Sequence, residues 1–117
     1  MQRYEELEVY KEAYRLVLSL YRYTKELPKE EMYGLTSQLR RASTSIVLNI
    51  ADGYGKDDTK EELKRYLRIA KGSAEETKVI IKLCRDIGYM EEKTYEIYHE
   101  KLEKISKQMY RLIESIN

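Results

Sequence analysis

The residues best equipped for chemistry in this sequence are cations and small polar side chains, and they cluster. From Lys60 to Arg85 there are eight basic residues against four acidic ones. That segment is locally positive in a chain whose net charge is only +1. Lys60, Lys64, Lys71, Lys78 and Lys82 recur at steps close to multiples of the helical repeat, so they share one flank of a helix, with Arg65 and Arg68 beside them. Lys and Arg neutralise phosphate without reading base identity. The strip therefore reads either as a solvated face or as a surface for an RNA or DNA backbone. A second cluster lies upstream, where Gln38, Arg40, Arg41, Ser45 and Asn49 punctuate an otherwise apolar segment. It is either a structural network that fixes helix register or a polar face lining a subunit junction or binding channel. Gln38, Ser45, Asn49 and, from the next segment, Ser73 are its candidate members. The candidate phosphate contacts are Arg40, Arg41, Lys56, Lys60, Lys64, Arg65, Arg68 and Lys71. Tyr54 is a candidate base stacker.

Catalytic chemistry is poorly provided for. Cys84 is the single cysteine and His99 the single histidine, and neither has ligand-type spacing around it. Cys84 falls on an apolar stripe and reads as a small core residue. His99 lacks an evident triad partner and reads as a surface residue. Glu and Lys alternate along helical segments in the manner of solvated i,i+4 pairs. Gly53-Tyr54-Gly55-Lys56 lacks the spacing of a phosphate-cradling loop. No catalytic residue, metal site or cofactor is expected, and the function class favoured is a non-enzymatic binding module.

Four helical segments must position these residues. The first spans about Tyr4 to Glu26 and carries two apolar stripes. One is Leu7, Tyr10, Tyr14, Val17 and Tyr21; the other is Val9, Ala13, Leu16 and Leu20. Either both form one wide core face or the second meets another subunit. Leu27-Pro28 ends the segment. The second helix is expected from about Met32 to Asp52, with Leu35, Leu39, Ala42, Ile46 and Ile50 in line and Gly53-Tyr54-Gly55 as its break. Thr59-Lys60-Glu61-Glu62 reads as a capping box for the third, which runs to about Ile87 before Gly88. Its stripe is Leu63, Tyr66, Leu67, Ala70, Ala74, Thr77, Ile81 and Cys84. Gly72 inside it costs about 1 kcal/mol against alanine, which a contact too tight for a methyl would explain. The fourth alternates Tyr95, Tyr98, Leu102, Ile105, Met109, Leu112 and Ile116 in a coiled-coil-like seam. Nothing alternates with period two. The expected fold is all-α, an up-down-up-down antiparallel four-helix bundle, with residues 1–117 forming one domain.

Composition sets the outer bounds. The 117 residues suit one hydrophobic core, and 42% hydrophobic content argues against disorder. A lone cysteine excludes an intrachain disulfide and fits a reducing compartment. No segment has the ~20 apolar residues of a membrane span, and the N-terminus lacks a signal-peptide run. No membrane association is expected, and a cytoplasmic location is. All twelve aromatics are tyrosines, which suit bundle margins and subunit contacts.

Three runs of residues, with Ser45-Ile46 between the first and the second, carry a resemblance. They are Tyr33-Gly34-Leu35-Thr36-Ser37-Gln38-Leu39-Arg40-Arg41-Ala42, then Asn49-Ile50-Ala51-Asp52-Gly53-Tyr54-Gly55-Lys56, then Tyr66-Leu67-Arg68-Ile69-Ala70-Lys71-Gly72-Ser73. Together they resemble the bacterial four-helix bundle proteins related to the rRNA intervening-sequence-encoded protein, to which the accessory protein of diversity-generating retroelements is similar. The resemblance spans Leu7 to about Ile113. It implies a four-helix protomer assembled as a homopentameric barrel. In the retroelement branch it implies binding to a reverse transcriptase and to nucleic acid through a positive surface.

Overall fold

The structure is a computed structural model that describes residues 3–55 and 59–117. Four α-helices make up most of it: α1 (Glu8–Thr24), α2 (Leu35–Gly55), α3 (Lys60–Ile87) and α4 (Glu92–Ser115). Two single 3-10 turns, Tyr4–Glu6 and Lys29–Glu31, precede α1 and α2. No strand occurs among the described residues. The body measures 44 × 24 × 19 Å. Helix α2 packs most extensively on α3, α3 packs next on α4, and α1 touches both α2 and α4.

Each helix buries one face. From α1 come Val9, Ala13, Leu16, Leu20 and Tyr23; from α2, Leu39, Ala42, Ile46 and Ile50. From α3 come Leu67, Ala70, Ala74, Ile80, Ile81 and Cys84; from α4, Tyr98, Leu102, Ile105, Met109 and Ile113. Full burial of one such aliphatic side chain contributes roughly 1.5–3 kcal/mol against leaving it in water. The helix ends follow local rules. The Thr59 hydroxyl accepts from the Glu62 amide at 3.2 Å, which is half of the expected capping box. Glu62 turns instead to Arg65, at 2.9 Å. At the far end Gly88 takes a left-handed φ of 103° and closes α3 through its amide to Arg85 O.

Four expectations are corrected. The α1 stripe that faces the core is Val9, Ala13, Leu16 and Leu20; of the other stripe Leu7 is buried and Tyr10 packs against the core, while Tyr14 and Tyr21 are exposed. Aliphatic side chains fill the thin interior, and tyrosines keep their hydroxyls at the margin. The first helix is also shorter than its periodicity suggests, with a 3-10 turn in place of its first turn and Thr24 as its last residue. Helix α2 starts at Leu35 and does not break at Gly53; it continues to Gly55. Gly53 is there for proximity: a Cβ at this position would sit 3.1 Å from both Leu63 Cδ1 and Tyr66 Cβ. Gly72 shows the reverse, because a Cβ there would meet nothing within 4 Å.

These two glycines make opposite predictions. Gly53→Ala should lower the unfolding free energy by about 1 kcal/mol, because Tyr66 Cβ is fixed to its backbone and overpacking outweighs the gain in helix propensity. Gly72→Ala should raise it by about 1 kcal/mol. Urea titration of both variants checks the pair, and a drop in stability at Gly72 would mean that its face is covered in solution.

Candidate functional site

The polar cluster of α2 is a real network, and it ties α2 to α3. Ser73 of α3 donates its hydroxyl to Ser45 Oγ at 2.8 Å. Asn49 Nδ2 donates to the same oxygen at 2.9 Å and to Ser45 O at 2.8 Å. Three of the four sequence-proposed members thus meet. Gln38 does not join them: it is exposed, about two turns back along α2 from Ser45. Ser45 and Asn49 are half-buried and Ser73 is buried, so unmade hydrogen bonds here carry a desolvation cost.

The candidate cations divide by helix face. Arg40 and Arg41 leave α2 in different directions. Arg40 donates Nε to Thr24 Oγ1 at 2.8 Å and lies 4.5 Å from the Tyr21 ring centroid, both on α1. Arg41 pairs with Glu76 of α3 at 3.0 Å. Arg65 pairs with Glu62 and covers its neighbour Tyr66. Lys60, Lys64, Arg68 and Lys71 remain, and among the described residues none of them forms an ion pair. Lys56 lies outside the described residues.

The flank of α3 that carries the lysines meets α4 around Lys78. Lys78 reaches Glu103 of α4 at 2.6 Å and Glu75 of its own helix at 2.6 Å. Its side chain is only 14% exposed. Burial works against its charge, but the hydrogen bonds to Glu103 and Glu75 prevail and hold its pKa above the ordinary lysine value. Burial likewise works to raise Glu75, and hydrogen bonds from Lys78 and Ser106 overcome it and hold that carboxyl low. Beside this knot a groove of about 560 Å3 opens between α3 and α4, with Lys71, Lys107, Tyr110 and Arg111 around it.

Sequence spacing misses two features of this surface. Lys107 and Arg111 belong to it but come from another helix, so only the α3–α4 contact reveals them. Tyr54 proves to be half-buried against the core, where burial raises its phenol pKa. Tyr110, 57% exposed, is the accessible ring beside the cations.

Other reactive groups are quiet. Cys84 is fully buried, and burial pushes its thiol up, which keeps it protonated and a poor nucleophile. His99 stacks on Tyr95 with ring centroids 5.5 Å apart, and its Nε2 lies 3.8 Å from Glu103. Among the described residues no three His, Cys, Asp or Glu side chains group as a metal ligand set. Among the same residues no helix is long and apolar enough to cross a membrane.

The profile of the 23S rRNA-intervening sequence protein family matches residues 5–111, nearly the whole chain. The chain belongs to that family. A crystal structure of a protein of unknown function from the S23 ribosomal protein family of Bacteroides thetaiotaomicron superimposes with a TM-score of 0.84. The two are 22% identical, over 92% of this chain and 96% of that one, which establishes a shared fold. No curated protein matches the chain in sequence. The family identity and the all-helical fold agree with the resemblance carried by residues 33–73.

The Lys78 knot yields a pH-dependent prediction. Lys78→Met should cost about 1 kcal/mol at pH 7, since it strands two carboxylates. Glu75 and Glu103 have lowered pKa values in the folded protein, so their contribution is present above the ordinary carboxylate range and fades as pH falls through the lowered values. The stability gap between wild type and variant should therefore close below about pH 4. Denaturant melts at neutral and acid pH check this, and a gap independent of pH would contradict the ionic account.

Proposed function

We propose that this protein is a non-enzymatic, oligomeric binding module that takes the phosphate backbone of nucleic acid on the lysine-bearing flank of α3. One observation carries the reading: Lys60, Lys64, Arg68 and Lys71 lie along one helix, and none of them forms an ion pair among the described residues. The family's description, with its intervening sequences of 23S rRNA, makes RNA the favoured nucleic acid. Arg40 and Arg41 contribute less than their sequence positions suggest, because Thr24, Tyr21 and Glu76 already engage them.

Assembly is the second half of the reading. The helices run up-down-up-down, which is supported by contacts of Glu12, Ser19 and Tyr23 with Lys104, Tyr98 and Tyr89 in turn. Ile69, Val79, Leu83 and Ile87 form an exposed apolar stripe on the outward face of α3, and Val79 is 59% exposed. Leu48 of α2 and Tyr14 and Leu18 of α1 are also uncovered. Exposed apolar area beside an already packed core stripe is the kind of surface that another chain can cover. The resemblance points to a homopentamer as the closed form of that contact.

A second reading is a protein-binding adapter, such as an accessory subunit for a reverse transcriptase. It is favoured by tyrosines on the outside, above all Tyr33, which is 93% exposed.

Fluorescence anisotropy with a labelled RNA across a salt series tests the leading reading. Affinity should fall linearly in a log–log plot. Lys64→Ala with Arg68→Ala should weaken binding and flatten the slope by about 0.7–0.9 for each phosphate left without its cation, while Lys93→Ala, at the start of α4, should change neither. Binding that ignores both salt and the α3 substitutions would overturn it.

A further inference from the structure

The α3–α4 groove has a chemistry that the α3 strip lacks. The strip supplies cations for phosphate. At the groove, cations from two helices flank an uncovered aromatic ring. We propose that this groove seats a single-stranded nucleic-acid segment, with a base stacked on Tyr110 and the flanking phosphates held by Lys71, Lys107 and Arg111. The proposal rests on the nucleic-acid reading above and makes it specific.

The argument starts from charge. Two carboxylates reach the groove, Glu75 and Glu103, and left free they would repel phosphate. Both are bound by Lys78 at 2.6 Å, and Ser106 donates a further hydrogen bond to Glu75 at 2.6 Å. Lys107 and Arg111 form no ion pair among the described residues, and Lys71 forms none either, although its charge helps hold the Glu75 carboxyl low. Lys78 is the positioning residue here: it ties up both carboxylates and offsets one of their two charges, and Lys71, Lys107 and Arg111 leave the groove positive.

Shape supplies the second step. A groove of about 560 Å3 falls within the roughly 300–1,000 Å3 of small-ligand sites, the scale of a nucleotide or two rather than of a duplex. The third step is stacking. A base can lie on the exposed Tyr110 ring only if its own face is free, which holds in single strands and loops and not inside a helix. Cations that follow a backbone beside one aromatic platform are the usual way to bind single strands without reading sequence. Lys64 and Arg68 continue from Lys71 toward the start of α3 and give the strand a cationic path out of the groove.

The test compares single-stranded RNA of about 12 nucleotides with the duplex of the same sequence, using the full chain and three variants. Tyr110→Leu removes the ring and leaves an apolar side chain; Tyr110→Phe keeps the ring and is the rescue. Lys107→Ala with Arg111→Ala removes the α4 cations. Tyr110→Leu should lose about tenfold in affinity for the single strand and almost nothing for the duplex, with Tyr110→Phe close to wild type. The α4 double variant should weaken single-strand binding and reduce its salt slope. If Tyr110→Leu binds the single strand as wild type does while Lys64→Ala with Arg68→Ala weakens it, this proposal fails and the phosphate-binding reading stands. An equal loss on single strand and duplex also defeats it. Absence of RNA binding at every salt concentration defeats both. Circular dichroism of the variants confirms the fold, which a substitution at an exposed α4 position leaves intact.

Discussion

A bundle of four thin rods can bury one face of each, and every other property of this molecule follows from that limit. The interior is filled by aliphatic residues at three- and four-residue steps, with alanines where helices come close. At Gly53 the approach of α2 to α3 leaves no room for a methyl group. Close approach lets the short side chains of Ser45, Asn49 and Ser73 reach one another, which fixes the axial register of the two helices. Register in turn decides which charges oppose each other farther out. Arg41 meets Glu76 because Ser45 meets Ser73 one turn away. A slip of one residue would separate both pairs.

The faces left outside the core divide by chemistry. On the side of α3 that meets α4, Lys78 holds two carboxylates, and its basic neighbours form no ion pair among the described residues. On the outward side, Ile69, Val79, Leu83 and Ile87 offer apolar area with nothing over it. Burying those four would recover hydrophobic free energy that the isolated chain forgoes. Gly72, on the same outward side, gives up helix propensity with no compensating contact inside the protomer.

Much of the fold was legible because the governing rules are local. Periodicity picked out the α3 stripe from Leu67 to Cys84, a hydroxyl three residues before Glu62 marked the N-cap, and Gly88 marked the stop. The misses arise where one residue type serves two physical ends. Glycine permits both positive φ and close approach, and nothing near Gly53 in sequence tells them apart. Two apolar stripes on α1 look alike until the thinness of the core selects aliphatics over Tyr14 and Tyr21. The candidate site was less legible for a different reason. Whether a cation is free depends on carboxylates brought in by other helices, as Glu76 is to Arg41 and Glu103 is to Lys78. The spacing of α3 shows where its lysines point, but it cannot show that Lys107, Tyr110 and Arg111 arrive beside Lys71.

The near-neutral charge of the chain looks at first like an argument against a polyanion partner. It bears on long-range attraction, though, not on contact. A net charge of +1 gives little steering from a distance, so one protomer with a few phosphate contacts would bind weakly and let go at modest salt. The apolar stripe on the outward face of α3 changes that arithmetic. Copies joined through it would each present the same cationic flank, and a strand held by one flank would meet the next at high effective concentration. Affinity would then rise with the number of flanks engaged, without any single site being strong. On the proposed reading the two uncovered surfaces of α3 would act together: one would set how many binding flanks cooperate, and the other would set what each flank holds.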